Sequence, residues 1–73
     1  MKIKEILKKC TISPPNVFIT LWNNKVEIHI ELCEENDFSN FIATYGNSEI
    51  HDWAINNFIA TYVFFNVKKL VKE

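Results

Sequence analysis

The alternation of apolar and polar side chains over residues 26–33 constrains this chain more than any other sequence feature. Successive strand side chains point to opposite faces, so a period of two predicts a strand with one apolar face. Asn23-Asn24 precedes this segment. Asparagine tolerates positive φ, so the pair predicts a two-residue turn. Residues 16–22 and 25–33 therefore predict a β-hairpin.

The predicted turn also sets the register of this hairpin. It pairs Leu21 with Val26, Ile19 with Ile28, and Val17 with Ile30 on one apolar face. We expect that face to lie in the core. The opposite face carries Phe18 and Trp22 among charged residues, and we expect it to be partly exposed or to contact a partner.

Two segments show the spacing of an amphipathic helix. Ile3, Ile6, Leu7 and Cys10 predict a helix over residues 2–10, ended by Ser13-Pro14-Pro15. Phe38, Phe41, Ile42 and Tyr45 predict a second helix over residues 37–45. Asn36-Asp37 is its expected N-cap, and Gly46 suits the left-handed position after its end.

A second hairpin is predicted over residues 49–55 and 58–67, with Asn56-Asn57 as its turn. This register sets Ile55 opposite Phe58 and requires an irregularity near Asp52. The hexapeptide NFIATY occurs at residues 40–45 and again at 57–62. Because the flanking sequences differ, we interpret it as one peptide in two conformations rather than as a repeat.

These elements predict an α+β fold, α-β-β-α-β-β, with an antiparallel four-stranded sheet and both helices on one face. We expect residues 1–73 to form a single domain, since 73 residues of which 48% are hydrophobic supply one core. A chain of this length buries only about 60% of its unfolded surface, which favours further burial in a homodimer or against a partner.

The sequence offers no motif for catalysis. Cys10, Cys33, His29 and His51 lack the close paired spacing of a zinc site, and the one glycine cannot form a phosphate-binding loop. We therefore expect no enzyme activity, no metal and no cofactor.

The distribution of charge and hydropathy bears on nucleic-acid binding, membrane insertion and cellular compartment. The net charge is −1, with lysines concentrated at both ends and acidic residues between them. An acidic body disfavours direct nucleic-acid binding. No apolar run approaches the roughly 18 residues of a membrane span, and residues 1–10 are unlike a signal peptide. We expect a cytoplasmic protein that does not bind membranes, with reduced thiols.

Aromatic side chains make up 14% of the chain. This exceeds what so small a core readily encloses, so we expect some of them to contact another protein. The predicted partner-binding residues are Phe41, Tyr45, Phe38, Trp22 and Phe18. The alternative interpretation is that these rings fill the core.

The segment Phe41-Ile42-Ala43-Thr44-Tyr45-Gly46-Asn47, between a hairpin and a strand, resembles the short uracil-DNA glycosylase inhibitors of certain phages. The resemblance implies a homodimer that binds the host glycosylase and blocks its DNA site, with Phe41 and Tyr45 beside an apolar pocket. The chain departs from that family in Ile42, which replaces an acidic residue, and in its first helix and fourth strand.

Other targets are compatible with the same size and acidity. The chain is also similar to small accessory proteins of phages and mobile elements. An inhibitor of a CRISPR nuclease or another defence protein is one alternative, and a structural or regulatory interaction module is another.

Overall fold

The computed structural model describes residues 1–71. Its elements are α1 Ile3–Lys9, β1 Val17–Trp22, β2 Glu27–Leu32, α2 Glu35–Tyr45, β3 Glu49–Asn57 and β4 Thr61–Lys69. They confirm the α+β class and the α-β-β-α-β-β order. The four strands form one sheet in the order β2-β1-β4-β3.

The sheet is mixed, so the prediction of a wholly antiparallel sheet is wrong in one pairing. Each hairpin is antiparallel, but the central strands β1 and β4 run parallel, with Val17 opposite Thr61 and Trp22 opposite Asn66. Parallel strands require a long crossover connection, and here that connection comprises β2, α2 and β3.

The core lies between one face of the sheet and the two helices. Its buried apolar residues are Ile3, Ile6, Leu7, Ile12, Val17, Ile19, Leu21, Leu32, Phe41, Ile50, Val63, Phe65 and Val67. Ile28 and Ile30 pack against this cluster but are only half-buried, contrary to expectation. Their strand, β2, lies at the edge of the sheet, so they have a neighbouring strand on one side only.

The first hairpin has a longer turn than predicted. Trp22 pairs with Glu27, and residues 23–26 form the loop. The Asn23 side chain holds it, because its Oδ1 accepts the backbone N–H groups of Lys25 and Val26, each at 2.9 Å. The predicted register is therefore wrong by two residues. Because two is the period of a strand, Val17, Ile19 and Leu21 still face the core. Val26, expected on that face, lies in the loop and is 45% exposed.

The second hairpin turns at residues 58–60 rather than at Asn56-Asn57, which belongs to β3. Ile55 consequently pairs with Val63, not with Phe58. The predicted irregularity near Asp52 is confirmed, since the register shifts between Ile50 and Asp52.

The two copies of NFIATY adopt different conformations, as predicted. Residues 40–45 lie in α2, whereas residues 57–62 span the end of β3, the tight turn and the start of β4. Phe41 is 4% exposed and its counterpart Phe58 is 87% exposed. Tertiary contacts therefore determine which conformation the same six residues adopt.

The helices begin and end close to their predicted limits, but Gly46 does not act as expected. Its φ of −59° is right-handed. Its N–H donates to the Ile42 carbonyl at 2.8 Å, and a Cβ at this position would clash with that carbonyl oxygen. The N-cap of α2 is Glu34 rather than the predicted Asn36-Asp37, which lies in the first turn of the helix. From that turn, Asp37 Oδ2 accepts the N–H groups of Cys33 and Glu34, each at 3.0 Å.

α1 ends in a Schellman motif. Ile12 N–H donates to the Leu7 carbonyl and Thr11 N–H to the Lys8 carbonyl, at 3.1 and 3.3 Å. Thr11 has a φ of 56°, in the left-handed region that this motif requires and that glycine usually fills.

Ser48 joins both ends of the described chain and is fully buried. Its carbonyl accepts the N–H of Ile3 at 3.1 Å. Its hydroxyl accepts the N–H of Val71 at 2.8 Å and donates to the Val71 carbonyl at 3.1 Å.

Candidate functional site

The sheet face opposite the helices carries a row of aromatic side chains on its two central strands. Phe18 and Trp22 come from β1, and Tyr62 and Phe64 come from β4. Each lies at a position that alternates with a core residue, so all four point away from the helices. We call these four residues the aromatic face. Trp22, Tyr62 and Phe64 are 37%, 49% and 40% exposed.

The four rings form two stacked pairs across the parallel β1–β4 pairing. The Phe18 and Tyr62 ring centroids are 5.3 Å apart with an interplanar angle of 18°. The Trp22 and Phe64 centroids are 6.4 Å apart at 27°. Such contacts restrict the rings, so the aromatic face presents a pre-ordered apolar surface.

Polar and acidic residues border the aromatic face. On the β2 side, Glu27, His29 and Glu31 are exposed. His29 Nε2 lies 3.5 Å from a Glu27 carboxylate oxygen, and its Nδ1 lies 3.3 Å from Thr20 Oγ1. On the β3 side, a groove of about 590 Å³ lies beside the rings. Its remaining lining includes Ala54, Asn56 and Asn57.

The structure separates the five predicted partner-binding residues into two groups. Phe18 and Trp22 lie together on the aromatic face. Phe38 and Tyr45 pack, half-buried, against the core, and Phe41 lies inside it. The Phe41 and Tyr45 rings contact each other with centroids 5.5 Å apart. α2 therefore uses its aromatic residues chiefly for packing, which agrees with the alternative in which these rings fill the core.

Neither cysteine forms a disulfide, and Cys33 has an acidic environment. Its thiol donates to Glu31 Oε2 at 2.9 Å. This hydrogen bond, followed by smaller contributions from desolvation and from the charges of Glu31, Asp37 and Glu34, raises the pKa of the thiol. A raised pKa lowers the thiolate fraction, so Cys33 lacks the environment of a reactive cysteine. Residues 1–71 contain no cluster of three side chains suited to a metal ion.

Two exposed apolar features were not assigned to a site from the sequence. Tyr62 and Phe64 complete the aromatic face, and alternation with Val63 and Phe65 was the signal that could have placed them there. Phe58 and Ile59 are 87% and 85% exposed at the tip of the second hairpin. Nothing in that apolar sequence indicates a turn.

No family model matches this chain, and neither a curated protein nor a solved structure matches it. Over residues 1–71, the helices are too short or too polar to cross a membrane.

Proposed function

We propose that this protein is a non-enzymatic module that binds another protein through its aromatic face and thereby inhibits a host DNA-processing or defence enzyme in the cytoplasm. The observation that carries the binding proposal is the pair of ring stacks on the solvent side of β1 and β4. A sheet covered on one face by helices usually carries polar side chains on its other face. Aromatic residues are enriched in protein interfaces because they offer large contact areas at a low entropic cost.

A protein partner fits this surface better than a nucleic acid. Rings that bind bases must offer a free face for stacking. Phe18 stacks on Tyr62 and Trp22 stacks on Phe64, so one face of each ring is already occupied by its neighbour. Glu27 and Glu31 beside them repel phosphates.

Uracil-DNA glycosylase remains the most specific target hypothesis. This hypothesis assigns the main contacts with the glycosylase to Phe41 and Tyr45. Phe41, however, is 4% exposed and has little surface with which to contact a partner. The aromatic face therefore gives a protein interface stronger support than α2 does. A uracil-release assay tests the target directly, because undiminished cleavage in a large molar excess of folded protein excludes the glycosylase.

The binding proposal is tested by capture from a bacterial lysate with four forms of the protein. These are the wild type, Tyr62→Ala with Phe64→Ala, Phe58→Ala with Ile59→Ala, and Trp22→Ala. We expect a saturable partner whose recovery falls at least about tenfold with the first double variant and with Trp22→Ala, as for central interface residues.

The Phe58→Ala, Ile59→Ala double variant is the matched control, because it removes exposed apolar side chains from another surface. Amide spectra and thermal unfolding establish that each variant is folded. Equal recovery with all folded variants contradicts the proposal. Loss of recovery with the control alone assigns the interface to the hairpin tip instead.

The expected homodimer remains a prediction. Sedimentation equilibrium at tens of micromolar tests it, and the aromatic-face variants show whether the same surface joins two copies. A dimer that Tyr62→Ala with Phe64→Ala dissociates would make this face a self-association surface.

A further inference from the structure

The outer edge of β2 is an unbroken six-residue strand edge that has no neighbouring strand within residues 1–71. β2 and β3 are the two edge strands. β3 is interrupted by the shift between Ile50 and Asp52, and its first residue forms a bridge with Lys2. Bulges and covered ends protect sheet edges from further pairing. β2 has neither, since its six residues pair with β1 without a break.

The hydrogen bonding of the first hairpin identifies the backbone groups on that edge. Asn23 N–H donates to the Val26 carbonyl at 3.0 Å, which makes 23 and 26 a hydrogen-bonded pair. Such pairs alternate along an antiparallel ladder. Ile28 and Ile30 therefore direct their backbone groups to β1, and Glu27, His29 and Glu31 direct theirs outward.

The side chains along β2 indicate which strand would fit there. Glu27 and Glu31 are exposed on the sheet face that carries the aromatic residues. Ile28 and Ile30 are half-buried on the helix face, where a hollow of about 250 Å³ lies between β2 and α2. Its lining is mixed, with Phe41 and Tyr45 beside the polar residues Asp37, Asn40 and Thr44. An added strand would need cationic side chains on one face and apolar side chains on the other.

A second copy of this chain fits the edge poorly in the register centred on His29. If two β2 strands paired antiparallel about His29, Glu27 of each copy would lie opposite Glu31 of the other. Like charges directly opposite one another destabilise a strand pair.

We propose that the outer edge of β2 binds an extended segment of a partner protein, with basic and apolar residues in alternation, by adding it as a fifth strand. Backbone hydrogen bonds supply the affinity in this mode and alternate side chains supply the specificity. The inference rests on the proposed function only in taking the ligand to be part of a protein, and its surface is distinct from the aromatic face.

The test uses the full chain labelled with ¹⁵N and a capped heptapeptide, KTKVKTK, in which lysines alternate with a central valine and two threonines that present methyl groups. We expect saturable shifts of the Glu27, His29 and Glu31 amides, and slower hydrogen exchange at these amides in the complex. The peptide ETEVETE, with the same alternation and opposite charge, should not bind.

Two variants of His29 separate backbone pairing from side-chain contact. His29→Pro removes the outward N–H without removing a bond to β1, and edge strands tolerate proline at such positions. We expect it to weaken peptide affinity at least about tenfold. His29→Ala keeps the N–H and should change affinity less than about threefold.

A second pair of substitutions tests the proposal if the His29→Pro variant does not fold. Glu27→Gln combined with Glu31→Gln leaves the backbone unchanged, and it should weaken KTKVKTK binding and reduce its dependence on salt. The proposal is refuted if the affinity for KTKVKTK does not change in this double variant.

Three other outcomes overturn it as well. The first is the absence of saturable KTKVKTK binding. The second is a set of shifts centred on Tyr62 and Phe64, which refutes the β2 edge and leaves the aromatic-face proposal intact. The third is concentration-dependent protection of the β2 amides without peptide, which assigns the edge to a second copy. Failure of the lysate experiment alone refutes the aromatic face and leaves this result unaffected.

Discussion

Replacing Ser48 by alanine should lower the free energy of unfolding, because the hydroxyl group that is lost makes two hydrogen bonds. The Ser48 side chain is fully buried, and its hydroxyl both accepts from and donates to the backbone of Val71. Alanine removes both bonds and leaves two partly buried backbone groups without these partners. An unsatisfied group of this kind costs about 1–3 kcal/mol. Because water can reach part of the Val71 backbone, we expect Ser48→Ala to lower the free energy of unfolding by about 1–3 kcal/mol in total.

Thermal and urea unfolding followed by circular dichroism measure this loss. For a domain of this size, about 1–3 kcal/mol lowers Tm by about 5–20 °C. Ser39→Ala is the matched control, because Ser39 is exposed on α2 and the substitution should change stability by less than about 0.5 kcal/mol.

A double-mutant cycle tests the assigned contact. Val71→Pro removes the N–H that Ser48 accepts, so the Ser48→Ala and Val71→Pro effects should be less than additive by about 1 kcal/mol. The reasoning is refuted if Ser48→Ala unfolds within about 0.5 kcal/mol of the wild type, or if the two effects add.

Three further predictions test other features of the structure. Thr11→Gly should stabilise the protein by about 0.5–1 kcal/mol in urea unfolding, because a β-branched residue is strained at positive φ; a loss of stability contradicts the Schellman assignment. Glu31→Gln should lower the pKa of Cys33 and speed its alkylation by iodoacetamide at pH 8, and an unchanged rate argues against the Sγ–carboxylate bond. Phe41→Ala should lower the free energy of unfolding by about 3–5 kcal/mol, because Phe41 is buried. Phe58→Ala, in the second copy of the hexapeptide, should lower it by less than about 0.5 kcal/mol, and similar unfolding midpoints for the two variants would refute the contrast in burial.

The helices were predictable because their folding information is local. The spacing of Ile3, Ile6 and Leu7 defines the buried side of α1, and all three lie in the core. The first hairpin was predictable in its faces but not in its register, because Asn23 closes a four-residue loop with its own side chain. Side-chain capping of that kind leaves no periodic trace in the sequence.

The second hairpin was predicted with the wrong turn for a different reason. Asn56-Asn57 has the residue preferences of a turn, yet it pairs within the sheet, and Phe58 and Ile59 occupy the tip. Burial of Val63 and Phe65 fixes this register. The core therefore overrides local turn preference at the cost of two exposed apolar side chains.

Only half of the aromatic face could be predicted from the sequence. Alternation in the first hairpin placed Phe18 and Trp22 on the solvent side, but their neighbours come from the far end of the chain. The pairing of β1 with β4 brings Tyr62 and Phe64 beside them. A contact so distant in the sequence depends on the tertiary fold, which periodicity does not encode.

The parallel pairing of the first and last strands also governs when this protein can fold during synthesis. β1 is made early, but one of its two neighbours is β4, which ends at Lys69. Until β4 leaves the ribosome, the nascent first hairpin has an apolar face and a central strand with one bare edge. Closure of such distant contacts is slow. The growing chain is thus prone to aggregation until β4 inserts beside β1.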